Sequence, residues 1–114
     1  MSNQQLLRFK KEFAHWQAVL GLTEYTVTFK RKELTEDWAQ FALDPGGCVG
    51  TLTLTTGKWT LTDIRQVACH EALHLLLARL TDTGCRRFVE ESELTNENER
   101  VVCILEKLLC ALRK

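Results

Sequence analysis

The run ACHEALHLLLARL, Ala68 to Leu80, decides how this chain is read, because inside it stands His70-Glu71-Ala72-Leu73-His74. Residues four apart on a helix lie one above the other, so His70 and His74 present two imidazoles on one side, at a separation that suits two ligands of one tetrahedral zinc. Glu71 is one step round from His70. It is poorly placed to bind the same ion but can reach a water bound to it, the position of a general base. Two histidines on an apolar helix can also do no more than donate to backbone carbonyls. The surroundings favour the metal: Ile64, Val67, Ala68, Ala72, Leu73, Leu75, Leu76, Leu77 and Ala78 leave little face for water. The helix is therefore expected to be central, with its polar groups buried or lining a cleft. Burying a carboxylate and two imidazoles without partners is costly, and a dication offsets that cost.

Working outward, Leu6, Phe9, Phe13, Trp16 and Leu20 recur at spacings of three and four, which predicts a helix over 4–20, stopped by Gly21. Tyr25, Val27 and Phe29 alternate with Thr26, Thr28 and Lys30 as in a strand with one buried face. A second alternating stretch, Trp38 to Leu43, is followed by Asp44-Pro45-Gly46-Gly47 and then by Cys48 to Thr55, a hairpin signature. Asp63 with Gln66 reads as a capping box for the motif helix, expected to run to about Leu80. The polar stretch from Thr81 to Asn96 is expected to be a loop with a short helical turn. Asn96 with Glu99 repeats the capping pattern, and Val101, Val102, Leu105, Leu108, Leu109 and Leu112 trace an apolar face to the last residues. The expected fold is α+β: one domain over 1–114, with a small antiparallel three-stranded sheet packed on helices in the order α-β-β-β-α-α.

At 114 residues the chain is long enough to bury a core. Fifteen basic and fifteen acidic side chains cancel. The short runs Lys30-Arg31-Lys32 and Arg86-Arg87 read as solvated loops, so nothing points to nucleic acid. No apolar run approaches a membrane span, and the first residues lack the pattern of a secretion signal. The five cysteines, Cys48, Cys69, Cys85, Cys103 and Cys110, are odd in number and show no C-x-x-C spacing. Three of them fall at helix positions that read as core. Reduced thiols in a soluble cytoplasmic protein are the expectation. Trp16, Trp38 and Trp59 read equally as core or as contact surface.

The element order around His70-Glu71-Ala72-Leu73-His74 resembles the zincin metallopeptidases in their most reduced form, of gluzincin or minigluzincin type. The stretch from Gly21-Leu22 to Val27, the run CHEALHLLLARL and the ending ENERVVCILEKLL are also similar to small HExxH proteins of phages and prophages. The likeness covers the whole chain, although only the five-residue motif is specific. It implies a Zn2+ cofactor, a peptide or protein substrate, and hydrolysis of a peptide bond with Glu71 as general base. It also implies that an edge strand above the cleft pairs with an extended substrate. The strand from Thr51 to Thr55 is the candidate, and a plain solvated strand explains the same threonines.

A catalytic zinc generally keeps three protein ligands and one exchangeable water. His15, the one further histidine, lies upstream, so a histidine shortly after the motif is excluded. The gluzincin likeness implies a glutamate from a later helix, and Glu90, Glu91, Glu93, Glu97 and Glu99 all follow His74. Helical phase puts Glu97 in line with Val101, Leu105 and Leu108 on the buried face. The phage proteins carry a glutamate directly ahead of paired valines, which favours Glu99. The expected metal ligands are His70, His74 and Glu97, with Glu99 next in order; a helix-start carboxylate favoured by the dipole explains either glutamate as well. Cys85 is a lesser candidate ligand, Cys69 is expected to face the core and His15 the surface. Arg86, Arg87 and Arg100 read as surface groups, so no oxyanion donor is assigned. Two other classes stay open: a phage-type regulatory or binding protein with a metallopeptidase shape and no turnover, and a structural zinc domain, in which Glu71 has no task.

Overall fold

Ser2 and Gln5 lock the start of the first helix: the Ser2 hydroxyl accepts from the Gln5 N–H at 3.1 Å and the Gln5 side-chain oxygen accepts from the Ser2 N–H at 3.0 Å. In this computed structural model, which describes residues 1–86 and 88–112 and side chains through residue 108, that helix is α1, Asn3–Val19. Gly21, at φ 69°, ends it in a left-handed conformation that a side chain would disfavour. Phe9 and Phe13 are fully buried. Their rings meet Phe29 edge-on at 6.1 and 5.6 Å, and Phe9 meets Trp59 at 5.9 Å. These aromatics, with Leu52, Leu54, Ile64, Ala68, Ala72, Leu75 and Leu76, make one core between α1, the sheet and the motif helix.

The strands are β1 (Thr26–Arg31), β2 (Ala39–Asp44) and β3 (Val49–Leu54), and the expected class and element order hold. The sheet is mixed rather than wholly antiparallel. β2 and β3 form the expected hairpin, but β1 pairs parallel with the other edge of β3, giving the order β1-β3-β2. The connection over 32–38 crosses the end of β3, so β2 comes down on its far side. This corrects the assignment of the Thr51–Thr55 strand to the edge: β3 is central, paired on both sides, and β1 and β2 are the edges. Val27, Phe29, Leu52, Leu54, Ala39, Phe41 and Leu43 share the face that packs on the core, while Thr26, Thr28 and Gln40 on the other face are exposed. Gly50 has a packing task, because a Cβ there would meet the Phe41 ring at 2.8 Å and Leu43 at 2.9 Å.

The motif helix α2, Leu61–Cys85, is longer at both ends than expected. Its cap is Thr60 with Asp63, not Asp63 with Gln66: the Thr60 hydroxyl accepts from the Asp63 N–H, and Asp63 Oδ2 accepts from the Thr60 N–H at 2.9 Å. Threonine therefore starts the helix three residues earlier. Most of the expected loop from Thr81 to Asn96 is helical as well. α3 runs Glu91–Leu112, with Glu91 and Glu93 in its first turn, where the helix dipole favours acids. Arg86 holds the bend by reaching Asp82 Oδ2 at 3.2 Å and Glu93 Oε2 at 3.5 Å. Cys103 is exposed rather than in the core, and Arg87 and the side chains of Leu109, Cys110 and Leu112 lie outside the described residues. No helix among the described residues is long and apolar enough to cross a membrane.

Candidate functional site

α1 packs Phe9 and Phe13 against Phe29 of β1, and a gap opens between β2 and α2. The gap is a cleft of about 670 Å³ walled by Ala39, Phe41 and Leu43 of β2 and by His70, Glu71, His74 and Ala78 of α2. Asp82 and Cys85 stand at its far end and Asp37 at its near end. The i, i+4 spacing brings the imidazoles together as expected, with Nε2 of His70 and Nε2 of His74 3.1 Å apart and the rings edge to face at 4.7 Å. That distance suits one N–H···N hydrogen bond. It also lies close to the separation of roughly 3.3 Å that two Zn–N bonds of about 2.0–2.1 Å impose at a tetrahedral centre.

Both histidines are exposed to the cleft, whereas Glu71 is 7 % exposed. Among the described residues its carboxylate has no hydrogen bond and no ion pair. Burial pushes the Glu71 carboxyl above the usual carboxylate range; His74 and His70 pull it down and Asp37 adds to the rise. A buried acid left unpaired at the floor of an open cleft is ready to exchange a proton with something bound there.

The two glutamates expected to complete a metal set are elsewhere. Glu97 lines a neighbouring cavity with Arg79, Asp82, Thr83 and Arg86, and one of its oxygens is buried without a partner. Glu99 is exposed on α3. Among the described residues no three His, Cys, Asp or Glu side chains converge as a metal-holding group. The physical reason lies in where α3 packs: Arg100 reaches the Leu76 carbonyl and Glu97 stands level with Thr83 and Arg86, beyond the turns that carry His70 and His74. Cys85 lines the cleft at its far end and is exposed. Cys69 is half-buried, its thiol raised by desolvation. His15 is exposed and rests edge-on against Trp16 at 5.3 Å. Arg100 is not a plain surface group: its Nη1 donates to the Leu76 carbonyl at 3.4 Å and its Nη2 lies 3.7 Å from Glu24.

What the residue pattern missed is the opposite wall. The Trp38 carbonyl accepts from the Thr55 N–H at 2.9 Å, so Trp38 and Thr55 form a hydrogen-bonded pair. Alternation along an antiparallel ladder then turns the N–H and C=O groups of Ala39, Phe41 and Leu43 away from β3, toward the open side. Their alternating apolar pattern marked a strand, but only the sheet order makes it a free edge beside Glu71. No protein-family model matches the chain, and no curated protein or solved structure is significantly similar to it.

Proposed function

We propose that the protein is a zinc-dependent peptide-bond hydrolase of minimal, gluzincin-like build, acting on a peptide or protein in the cytoplasm. The observation that carries this reading is the convergence of two imidazole nitrogens at 3.1 Å beside a buried, unpaired Glu71 in an open cleft. The donors fit in part: His70 and His74 would hold the ion. Of the α3 glutamates, Glu97 combines partial burial with an unsatisfied oxygen, so it is the third donor in this reading, although the described arrangement leaves it in the adjoining cavity. A zinc ion held by His70 and His74 would supply polarisation of the scissile carbonyl and acidity to a water near neutral pH. Glu71, whose carboxyl is raised by burial at the cleft floor, would act as the general base toward an attacking water and as the acid toward the leaving amine. The edge of β2 aligns an extended substrate by backbone hydrogen bonds, with Phe41 and Leu43 beneath it.

Metal analysis of protein purified without added zinc, followed by digestion of a peptide pool, tests the reading. About one zinc per chain is expected, lost on His70→Ala or His74→Ala. Glu71→Gln should keep the metal and lose turnover. The unassembled third donor favours the second reading, a phage-type regulatory or binding protein that keeps the shape without turnover. Wild-type protein that cleaves nothing while holding a partner as tightly as Glu71→Gln does would establish it.

A further inference from the structure

Beside the main cleft, toward the start of α2, lies a second cavity of about 360 Å³ under the connection between β1 and β2. His70 and Glu71 line both spaces, so whatever fills the smaller one lies next to the reacting bond. Its charge is one-sided. Glu36, Asp37 and Asp63 contribute carboxylates, and no lysine or arginine lines it. Among the described residues none of these acids is in an ion pair. Asp63 is engaged in the α2 cap and Asp37 accepts one bond from Gln40, while Glu36 has no partner.

Surface acids alone make a solvated face. Two further features set this one apart. Glu71, nine-tenths buried and unpartnered, opens into the same cavity. Trp38, 46 % exposed, is held edge-on against the buried Trp59 at 5.0 Å, and Trp59 Nε1 in turn donates to the Thr55 carbonyl at 2.9 Å. A fixed aromatic wall facing uncompensated carboxylates is the chemistry that receives an ammonium or guanidinium group.

We propose that this cavity is a subsite for a lysine or arginine side chain of a peptide lying extended along β2, adjacent to the bond that is cut. The subsite rests on the hydrolase reading for its place in a reaction, but its binding preference is measured without turnover. The probe is a pair of peptides, acetylated and amidated so that a side chain is the single cation, differing only by lysine against norleucine. Their affinities for the wild-type protein, kept metal-free with a chelator so that nothing is cut, are compared by calorimetry at low salt.

The lysine peptide should bind about tenfold more tightly, and the difference should shrink as salt rises. Glu36→Gln with Asp37→Asn should remove the preference; Glu36→Gln alone, at an exposed side chain without partners, should reduce it. Equal affinities, or no binding of either peptide, overturn the subsite. Digestion of a peptide library by wild-type protein is scored apart. Cuts with no basic residue beside them overturn the subsite and leave the hydrolase standing, whereas preferential binding without any cut leaves the subsite and removes the hydrolase.

Discussion

At the seam between α2 and α3, Arg79 and Arg100 approach one oxygen of Glu24 at 3.8 and 3.7 Å. Arg79 also donates to the Cys48 sulfur at 3.5 Å, with its guanidinium 5.8 Å from the centre of the Tyr25 ring. Roughly two turns earlier on the same helix, Glu71 is more deeply buried than Glu24 and, among the described residues, has no hydrogen bond or ion pair. The chain thus treats two carboxylates beside one helix in opposite ways. At the seam Glu24 is met by two guanidinium groups, which fastens α3 and the start of β1 to α2. In the cleft the charge is left unmet, and the wall opposite is a strand edge with free backbone groups. A protein that could not tolerate unpaired acid would have placed an arginine there too, and Arg79 shows that this helix can carry one.

The largest effect that sharpens this contrast is catalytic. Glu71→Gln should lower peptide hydrolysis by about 10²- to 10⁴-fold without loss of folding stability, since an amide removes a buried unpaired charge. A rate that survives the change would mean that Glu71 is as structural as Glu24. Next in size is the response to metal. At a hundredfold excess over its dissociation constant, zinc should stabilise the fold by about 2.7 kcal/mol, a rise of roughly 10 °C in melting temperature for a chain of this length. His74→Ala should abolish the shift, and Glu97→Gln should diminish it while Glu99→Gln leaves it intact. The same rise in all three variants would place the metal away from the cleft.

At the seam the expected effect is smaller and purely structural. Arg100→Met should cost about 1 kcal/mol, because it removes a hydrogen bond to the Leu76 carbonyl and a screened ion pair while keeping the apolar stem. Chemical denaturation measures it, and metal content and hydrolysis should not change. A variant that loses zinc would show instead that the seam and the cleft are one unit.

The helices, the hairpin and the cleft-facing trio were legible because each follows from local spacing: three and four for α1, two for the strands, four for the histidines. What was not legible depends on chain path. Parallel pairing of β1 with β3 is set by where the seven residues over 32–38 cross, and this decides that Ala39, Phe41 and Leu43 rather than the threonines line the cleft. The start of α3 was misplaced because Asn96 with Glu99 imitates a cap inside a continuous helix, while Glu91 and Glu93 begin it by favouring the dipole alone. Glu97 lies on the seam side of the cleft, next to Arg79 and Arg86, because α3 packs along the later part of α2, a placement that a helical wheel does not encode.

The smallest effect tests an unsatisfied group at the seam that carries no charge at neutral pH. The Tyr25 side chain is 4 % exposed, and its hydroxyl is buried with no hydrogen-bond partner despite the neighbouring guanidinium. Tyr25→Phe removes an unsatisfied polar atom and leaves the ring in place, so it should be neutral or stabilising by up to about 1 kcal/mol. Its pH dependence gives the sign independently. Burial raises the Tyr25 hydroxyl above its ordinary value, against the opposing influence of Arg79 and Arg100, so the folded protein holds this proton more tightly than the unfolded chain. The resulting stability is fully present below the unfolded value near 10 and is lost as pH rises through the higher folded value. Denaturation midpoints of the parent should therefore fall more steeply above about pH 10 than those of Tyr25→Phe. Parallel curves, or a clear loss of stability in the variant at neutral pH, would mean that the hydroxyl is bonded to the neighbouring guanidinium.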